Sequence, residues 1–198
     1  REDLVIFFNP ERAAAEDPPG GWRLSEVPEG FVLTDLSPRE SSGTWQYENP
    51  ETGARLWFSV YTPEAEEVAT NVEDTQNAED THTTVTVQGY EADLFQTAGT
   101  ALLTWQNEAG YLFLLRASDF DDTETLLALA EGAAPYEGTG AAWEMGWVPE
   151  GYEPMYRDEG AGAVQQEWVK DGTLLTWRYV TDPICPFRTP EGVPEEID

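Results

Sequence analysis

Two stretches of this chain spell nearly the same phrase. Trp22-Arg-Leu-Ser-Glu-Val-Pro-Glu-Gly-Phe31 returns, 121 residues later, as Trp143-Glu-Met-Gly-Trp-Val-Pro-Glu-Gly-Tyr152. Trp, Val, Pro, Glu, Gly and a closing aromatic recur in register. Proline presets φ and glycine permits positive φ, so each phrase predicts a tight corner leading into a strand. The first phrase is followed by enough chain for a complete unit, residues 22–132. The second has room only for a partial repeat, residues 143–180. The expected organisation is therefore a lead-in at 1–21, the complete unit, a Gly/Ala/Pro-rich linker at 133–142, the partial repeat, and an irregular acidic tail at 181–198.

Period-two alternation of apolar residues carries the strand expectations. Phe31 to Leu36 and Thr44 to Tyr47 read as strands. Leu56, Phe58 and Val60 alternate with Trp57, Ser59 and Tyr61 after the turn Asn49-Pro-Glu-Thr-Gly53. Val85 and Val87 pair with Tyr90 to Phe95, and Ala101 to Gln106 pairs with Tyr111 to Ala117 across a turn at Asn107–Gly110. In the partial repeat, Val164–Val169 and Thr173–Val180 flank Lys170-Asp-Gly172, a two-residue hairpin signal. Leu175, Trp177 and Tyr179 answer Leu56, Phe58 and Val60 at an offset of 119. Residues 62–81 are polar and acidic and read as an exposed loop. The Ala-rich stretch after Asn9 is long enough for one or two helical turns, which Pro18, Pro19, Gly20 and Gly21 stop.

One helix is expected. Asp121 opens it as the cap, with Glu124 reaching back, and acidic residues suit the positive end of the helix dipole. Leu126, Leu129 and Ala130 fall on one face, and Gly132 marks the stop. The fold class is α+β: mainly antiparallel sheet with one helix packed at the C-terminal end of the main unit. A partial repeat of this size is too small to bury a good core alone. It is expected to pack on the main unit by extending the sheet or covering its face.

The charge excludes one class of partner. The chain carries 39 acidic residues against 10 Lys plus Arg, a net −29. Such a surface repels phosphate backbones and anionic headgroups, so nucleic acid is not an expected partner. Aromatic bulk is ample, with 8 Trp, 8 Tyr and 8 Phe, so a packed core is expected. Cys185 is the single cysteine, and no disulfide can form within the chain. Leu4 to Phe8 is far short of the roughly 20 apolar residues that span a bilayer. It also lacks the flanks of a signal peptide.

The order of these pieces resembles a known family. Asn9, Pro10, Arg12, Ala13 and Ala14 precede Pro28, Glu29, Gly30 and Phe31, then Tyr47 and Asn49. Val85, Val87, Gly89 and Tyr90 lead into Ala92, Asp93, Leu94 and Phe95; Leu103, Trp105, Leu126, Leu127 and Ala130 complete the set. Together, over about residues 9–132, they resemble the family called domain of unknown function 4367, found outside the membrane in many Firmicutes. The resemblance implies the extracytoplasmic part of an anti-sigma-like membrane protein: a cytoplasmic helical segment, one transmembrane helix, then this domain. It implies no catalytic residues. The partial repeat is an addition to the pattern.

Candidate chemistry is sparse. His82 is the only histidine, set among threonines, and reads as a surface or edge residue rather than a ligand or base. A dyad of His82 with Cys185 has no support in spacing. Asp119-Phe-Asp-Asp-Thr-Glu124 looks superficially like a calcium loop. Its sixth and twelfth positions hold Glu124 and Ala130 where an EF-hand needs Gly and Glu, and helix capping accounts for the acids. Gly138, Gly140, Gly160 and Gly162 lack the basic partners of a phosphate loop. Trp57, Trp105 and Trp177 could line a groove, but at strand spacing they read as core. No catalytic, cofactor-binding or metal residue is therefore assigned, no cofactor is expected, and the binding residues remain open.

The functional expectation is a non-enzymatic extracytoplasmic sensor or interaction domain, tethered to the membrane through a segment outside these residues, with a protein or small-ligand partner. The alternatives are a secreted binding module for glycan, peptide or divalent cation, and a hydrolase using two carboxylates.

Overall fold

In the computed structural model, the description covers residues 4–7, 21–38, 43–61, 67–70, 81–120, 122–137 and 145–188. Most of the described backbone is antiparallel strand, with one short helix among the described residues. Two strands, β1 (Leu4–Phe7) and β6 (Glu67–Thr70), form a small separate ribbon. Part of the stretch expected to be a loop is thus a strand, because β1 supplies the ladder that the polar sequence could not announce. The expected helical turns after Asn9 lie outside the described residues.

The central sheet has seven strands. β3 (Val32–Pro38), β4 (Gly43–Glu48) and β5 (Arg55–Tyr61) form a meander. β7 (Thr81–Val87), β8 (Tyr90–Thr97), β9 (Thr100–Gln106) and β10 (Leu112–Ser118) form a second one. They join where β10 lies along β5, giving the spatial order β3-β4-β5-β10-β9-β8-β7. Leu56, Phe58 and Val60 point to one face, as their period of two requires, and meet Trp45, Tyr47, Phe113, Leu115 and Trp105 in a single buried cluster. Phe113 lies at its centre: the rings of Trp105 (5.0 Å), Trp22 (4.8 Å) and Phe58 (6.3 Å) surround it. Each such ring stabilises the fold by about 1.5–3 kcal/mol through burial. The central strands β9 and β10 are buried on the other face as well, at Leu102, Thr104, Leu112 and Leu114. This accounts for the unbroken apolar run Tyr111–Leu115, since a strand covered on both sides has no polar alternation to show.

The helix α1 (Thr123–Glu131) packs Leu126, Leu129 and Ala130 onto the core face. Its cap is Asp122 rather than Asp121, which lies outside the described residues. The Asp122 Oδ1 accepts from the Thr125 amide at 2.9 Å, and the Thr125 hydroxyl donates to Oδ2 at 2.6 Å. Those bonds hold the Asp122 carboxyl below its ordinary pKa. Gly132 closes the helix with a negative φ, so backbone freedom is not its role. A Cβ there would lie 2.6 Å from the Ser25 Oγ. The glycine lets β2 (Trp22–Leu24) run past, and the Ser25 amide bonds the Gly132 carbonyl at 3.1 Å.

The Gly/Ala/Pro stretch expected to be a linker is partly structural. β11 (Ala133–Pro135) pairs with β2, and Ala133 and Tyr136 are buried. A three-residue pairing between segments more than a hundred residues apart leaves no periodic trace.

The C-terminal part forms its own sheet from β12 (Glu153–Gly160), β13 (Ala163–Lys170) and β14 (Thr173–Val180). It copies the register of the β3–β4–β5 meander. Val32↔Glu48, Leu33↔Tyr47, Asp35↔Gln46 and Leu36↔Trp45 become Glu153↔Val169, Pro154↔Trp168, Tyr156↔Glu167 and Arg157↔Gln166. Both ladders skip a residue at the same place, Thr34 in one and Met155 in the other. The corners match too: Gly30 and Gly151 both have φ +86°, and the amides of Phe31 and Tyr152 bond Pro28 and Pro149 at 3.3 Å. The sheet does not extend the seven-stranded one by strand pairing. It packs beside β3, with Ala161 and Ala163 in the main core. The segment after β14 is irregular but not loose: Leu33 bonds the Pro186 carbonyl and the Arg188 amide at 2.8 and 2.9 Å, and Ile184, Cys185 and Phe187 pack on the core. No helix among the described residues is long and apolar enough to cross a membrane.

Candidate interaction surface

The residues singled out in the sequence do not converge. His82 lies on β7, at one edge of the long sheet, with its side chain about half exposed. It stacks on Phe95 at 4.5 Å, and its Nε2 lies 2.8 Å from the Asp93 carboxylate. Cys185 sits by β3 and Tyr47, at the opposite edge. Seven strands spaced about 4.8 Å apart put roughly 25–30 Å between those edges, so a His82/Cys185 pair does not form. Burial pushes the Cys185 thiol up to about 11, only partly offset by a hydrogen bond with the Leu33 backbone. Burial also raises the Tyr47 phenol, with the nearby Cys185 adding to the effect and Arg23 opposing it.

In the acidic run at 119–124, the described aspartates serve the backbone. Asp119 adopts a left-handed φ of +52°, its amide bonds the Gly99 carbonyl at 2.7 Å, and Asp122 is committed to the helix cap. No cluster of three or more metal-ligating side chains exists among the described residues. Of the three tryptophans, only Trp105 is fully buried. Trp57 is half-buried on the sheet's other face, with the Arg116 guanidinium 5.4 Å from its ring centre. Trp177 is half-buried on β14 and stacks on Tyr179. Gly138 and Gly140 lie outside the described residues. Gly160 and Gly162 flank the β12–β13 turn, and Gly162 lies under the Tyr136 ring.

No local pattern announces which large apolar side chains stay exposed. Trp147 (72% exposed), Met155 (55%), Leu174 (51%) and Tyr156 (36%) are the large exposed hydrophobics among the described residues, and all four belong to the C-terminal sheet or the corner leading into it. The seven-stranded unit contributes none. Between β12 and β13, at the ladder's skipped residue, Pro154, Met155, Tyr156 and Trp168 border a shallow cleft of about 300 Å³ whose polar rim is Arg157, Gln166 and Glu167. A second cleft, about 460 Å³, lies where β2 and β11 meet the segment after β14. Arg23 is spoken for there: it donates to the Thr181 carbonyl at 3.0 Å and lies 4.2 Å over the Tyr136 ring. That second cleft is a joint between the two parts of the chain.

A model of the family described only as a domain of unknown function, DUF4367, matches residues 22–132. The chain belongs to the DUF4367 family. The match begins at Trp22 in β2 and ends at the Gly132 helix stop, so the DUF4367 part is the seven-stranded sheet with its helix. Searches of the curated proteins and of the solved structures found no match. Within the DUF4367 unit, the residues that carried the resemblance are largely structural. Tyr47, Val87, Ala92, Leu94, Leu103 and Trp105 are core, and Gly30 and Gly89 occupy positive-φ corners. Asn49 accepts from the amides of Glu51 and Thr52 and holds its turn. The large exposed apolar side chains among the described residues all lie beyond the family's span.

Proposed function

We propose that this chain is a non-catalytic extracytoplasmic interaction or sensor domain of an anti-sigma-like membrane protein, held to the membrane through a segment outside residues 1–198. The observation that carries the reading is the distribution of exposed apolar side chains. Among the described residues of this strongly acidic chain, the large exposed apolar side chains Trp147, Met155, Tyr156 and Leu174 all belong to the C-terminal sheet or the corner leading into it. Large apolar side chains left exposed in one part of a protein mark a place where something docks. Net charge of −29 keeps such a chain from sticking non-specifically to nucleic acid or anionic lipid, leaving contact to shape and apolar fit. The DUF4367 unit then serves as the rigid platform, and the C-terminal sheet as the part that meets a partner.

Location is the testable half of this reading. A Thr173→Cys variant in a Cys185→Ala background places one thiol on an exposed turn. Expressed in its native host within the full-length gene product, it should react with a membrane-impermeant maleimide on intact cells. Labelling that appears only after lysis would refute the extracytoplasmic assignment.

A further inference from the structure

The long sheet shows what the short one lacks. Along the outer edge of β5 lies β10, antiparallel from Leu112↔Tyr61 to Ser118↔Arg55. β14 holds the place of β5 in the copied meander: Trp45↔Phe58 and Tyr47↔Leu56 reappear as Gln166↔Trp177 and Trp168↔Leu175. Among the described residues, no strand lies along the outer edge of β14.

The two edges of the short sheet differ in kind. Exposed edges are ordinarily blunted by charge, proline or a bulge. β12 has all three: Glu153, Asp158 and Glu159, then Pro154, then the skipped residue at Met155. β14 reads Thr-Leu-Leu-Thr-Trp-Arg-Tyr-Val, with no acid, no proline and an unbroken register against β13. Its one charge, Arg178, is drawn to Asp35 at 2.6 Å and to Gln165 at 2.9 Å. β7, the open edge of the long sheet among the described residues, is likewise free of acid, proline and bulge, but it has no covered counterpart from which an occupant can be read.

We infer that the outer edge of β14 is a docking site for an extended segment of a partner polypeptide, which adds antiparallel as β10 adds to β5. The chemistry of the occupant is read from β10: about seven residues, apolar at every second position like Phe113, Leu115 and Ala117, with no acid and room for a base such as Arg116. Main-chain hydrogen bonds supply the affinity of such strand addition and alternate side chains its selectivity. The inference deepens the interaction-domain reading by naming the partner's chemistry. It does not depend on the compartment.

The two-residue turn Asp171-Gly172 makes Lys170 and Thr173 a hydrogen-bonded pair. Alternation along the ladder then turns the amides of Leu174, Thr176 and Arg178 outward. Proline at Thr176 removes an outward donor and leaves the β13 ladder intact. The probe is a fluorescein-labelled peptide of residues 111–118 with two arginines added at each end for solubility, titrated by anisotropy against the full chain. Saturable binding is expected, weakened at least tenfold by Thr176→Pro. Thr84→Pro, on the open edge strand β7, should leave it unchanged. Hydrogen exchange gives a readout that needs no variant: the amides of Thr176 and Arg178 should slow when peptide is added, while those of Leu175 and Trp177 are slow throughout. No saturable binding, equal binding to Thr176→Pro, or loss through Thr84→Pro overturns the inference. So does a dimer of the unliganded chain in sedimentation that Thr176→Pro dissolves, since the occupant is then a second copy.

Discussion

Replacing Gly162 by alanine should loosen the joint between the DUF4367 unit and the C-terminal sheet. Gly162 has φ +74°, where an alanine costs about 1–2 kcal/mol. A Cβ there would also lie 2.5 Å from Tyr136 Cζ and 2.6 Å from Cε1. Tyr136 cannot swing aside freely, because it is only 6% exposed and carries the Arg23 guanidinium on its ring. Overpacking of this kind costs about 1–3 kcal/mol. The two effects together predict a loss of about 2–5 kcal/mol. Gly172 is the internal control. Its φ is +76°, and a Cβ there would meet nothing within 4 Å, so Gly172→Ala should lose only about 1–2 kcal/mol. Urea unfolding followed by tryptophan fluorescence measures both. Tyr136→Ala completes a cycle: with the ring gone, adding Gly162→Ala should cost no more than Gly172→Ala does. Equal losses for Gly162→Ala and Gly172→Ala in the otherwise native chain would show that the ring contact is not what holds the joint.

Three further outcomes follow from the same structure. Gln88, in the β7–β8 turn, donates to the carbonyls of Ala130 and Glu131 at 3.2 Å and Ala133 at 2.6 Å, so Gln88→Ala should cost about 1 kcal/mol in urea unfolding and raise exchange of the last helical amides. The Cys185 thiol is raised from 9.0 to about 11, so its neutral form favours the fold; that contribution is complete below pH 9 and lost as pH rises through 11. Cys185→Ser should flatten the alkaline fall in midpoint over that window, and native Cys185 should alkylate slowly at pH 8. Phe58 and Trp177 hold equivalent positions, but one is fully buried and the other half exposed, so Phe58→Ala should cost about 3–5 kcal/mol and Trp177→Ala roughly half that or less, by the same unfolding assay.

Local pattern revealed most of the strands because a pleated, half-covered surface prints its period directly on the sequence. The hairpins at Gln88-Gly89 and Asp171-Gly172 were legible for the same reason, since their turn residues act within four positions. What stayed hidden was set by long-range pairing. β11 has no pattern of its own and exists because β2 lies opposite it. The segment after β14 looks like a tail, yet Leu33 binds it on both sides of Phe187. The helix cap fell one residue from its expected place, a difference between adjacent aspartates that composition cannot resolve. The exposed apolar side chains were invisible for another reason: Met155, Tyr156 and Leu174 sit in strands that look like any others, at positions where the long meander carries Thr34, Asp35 and Arg55.

The matched register sets each residue of the short sheet against one of the long sheet. In the long sheet Trp45, Tyr47, Leu56 and Phe58 are buried in the main core, where β10 lies beside β5 and β2 packs against it. Their counterparts Gln166, Trp168, Leu175 and Trp177 hold the same pairings without an equivalent of β10 or α1 among the described residues. The sequence has answered this loss only in part. Gln166, which accepts a hydrogen bond from the Met145 amide, stands where the long sheet has Trp45, and the exposed Arg157 stands where it has Leu36. Leu175 and Trp177 have stayed apolar. Had the copy been retained only as a cover for β3, polar residues at these outward positions would serve it better, because an exposed apolar strand edge invites aggregation. Polar residues at Arg157 and Gln166 beside apolar ones kept at β14 are the pattern expected of a surface that is used.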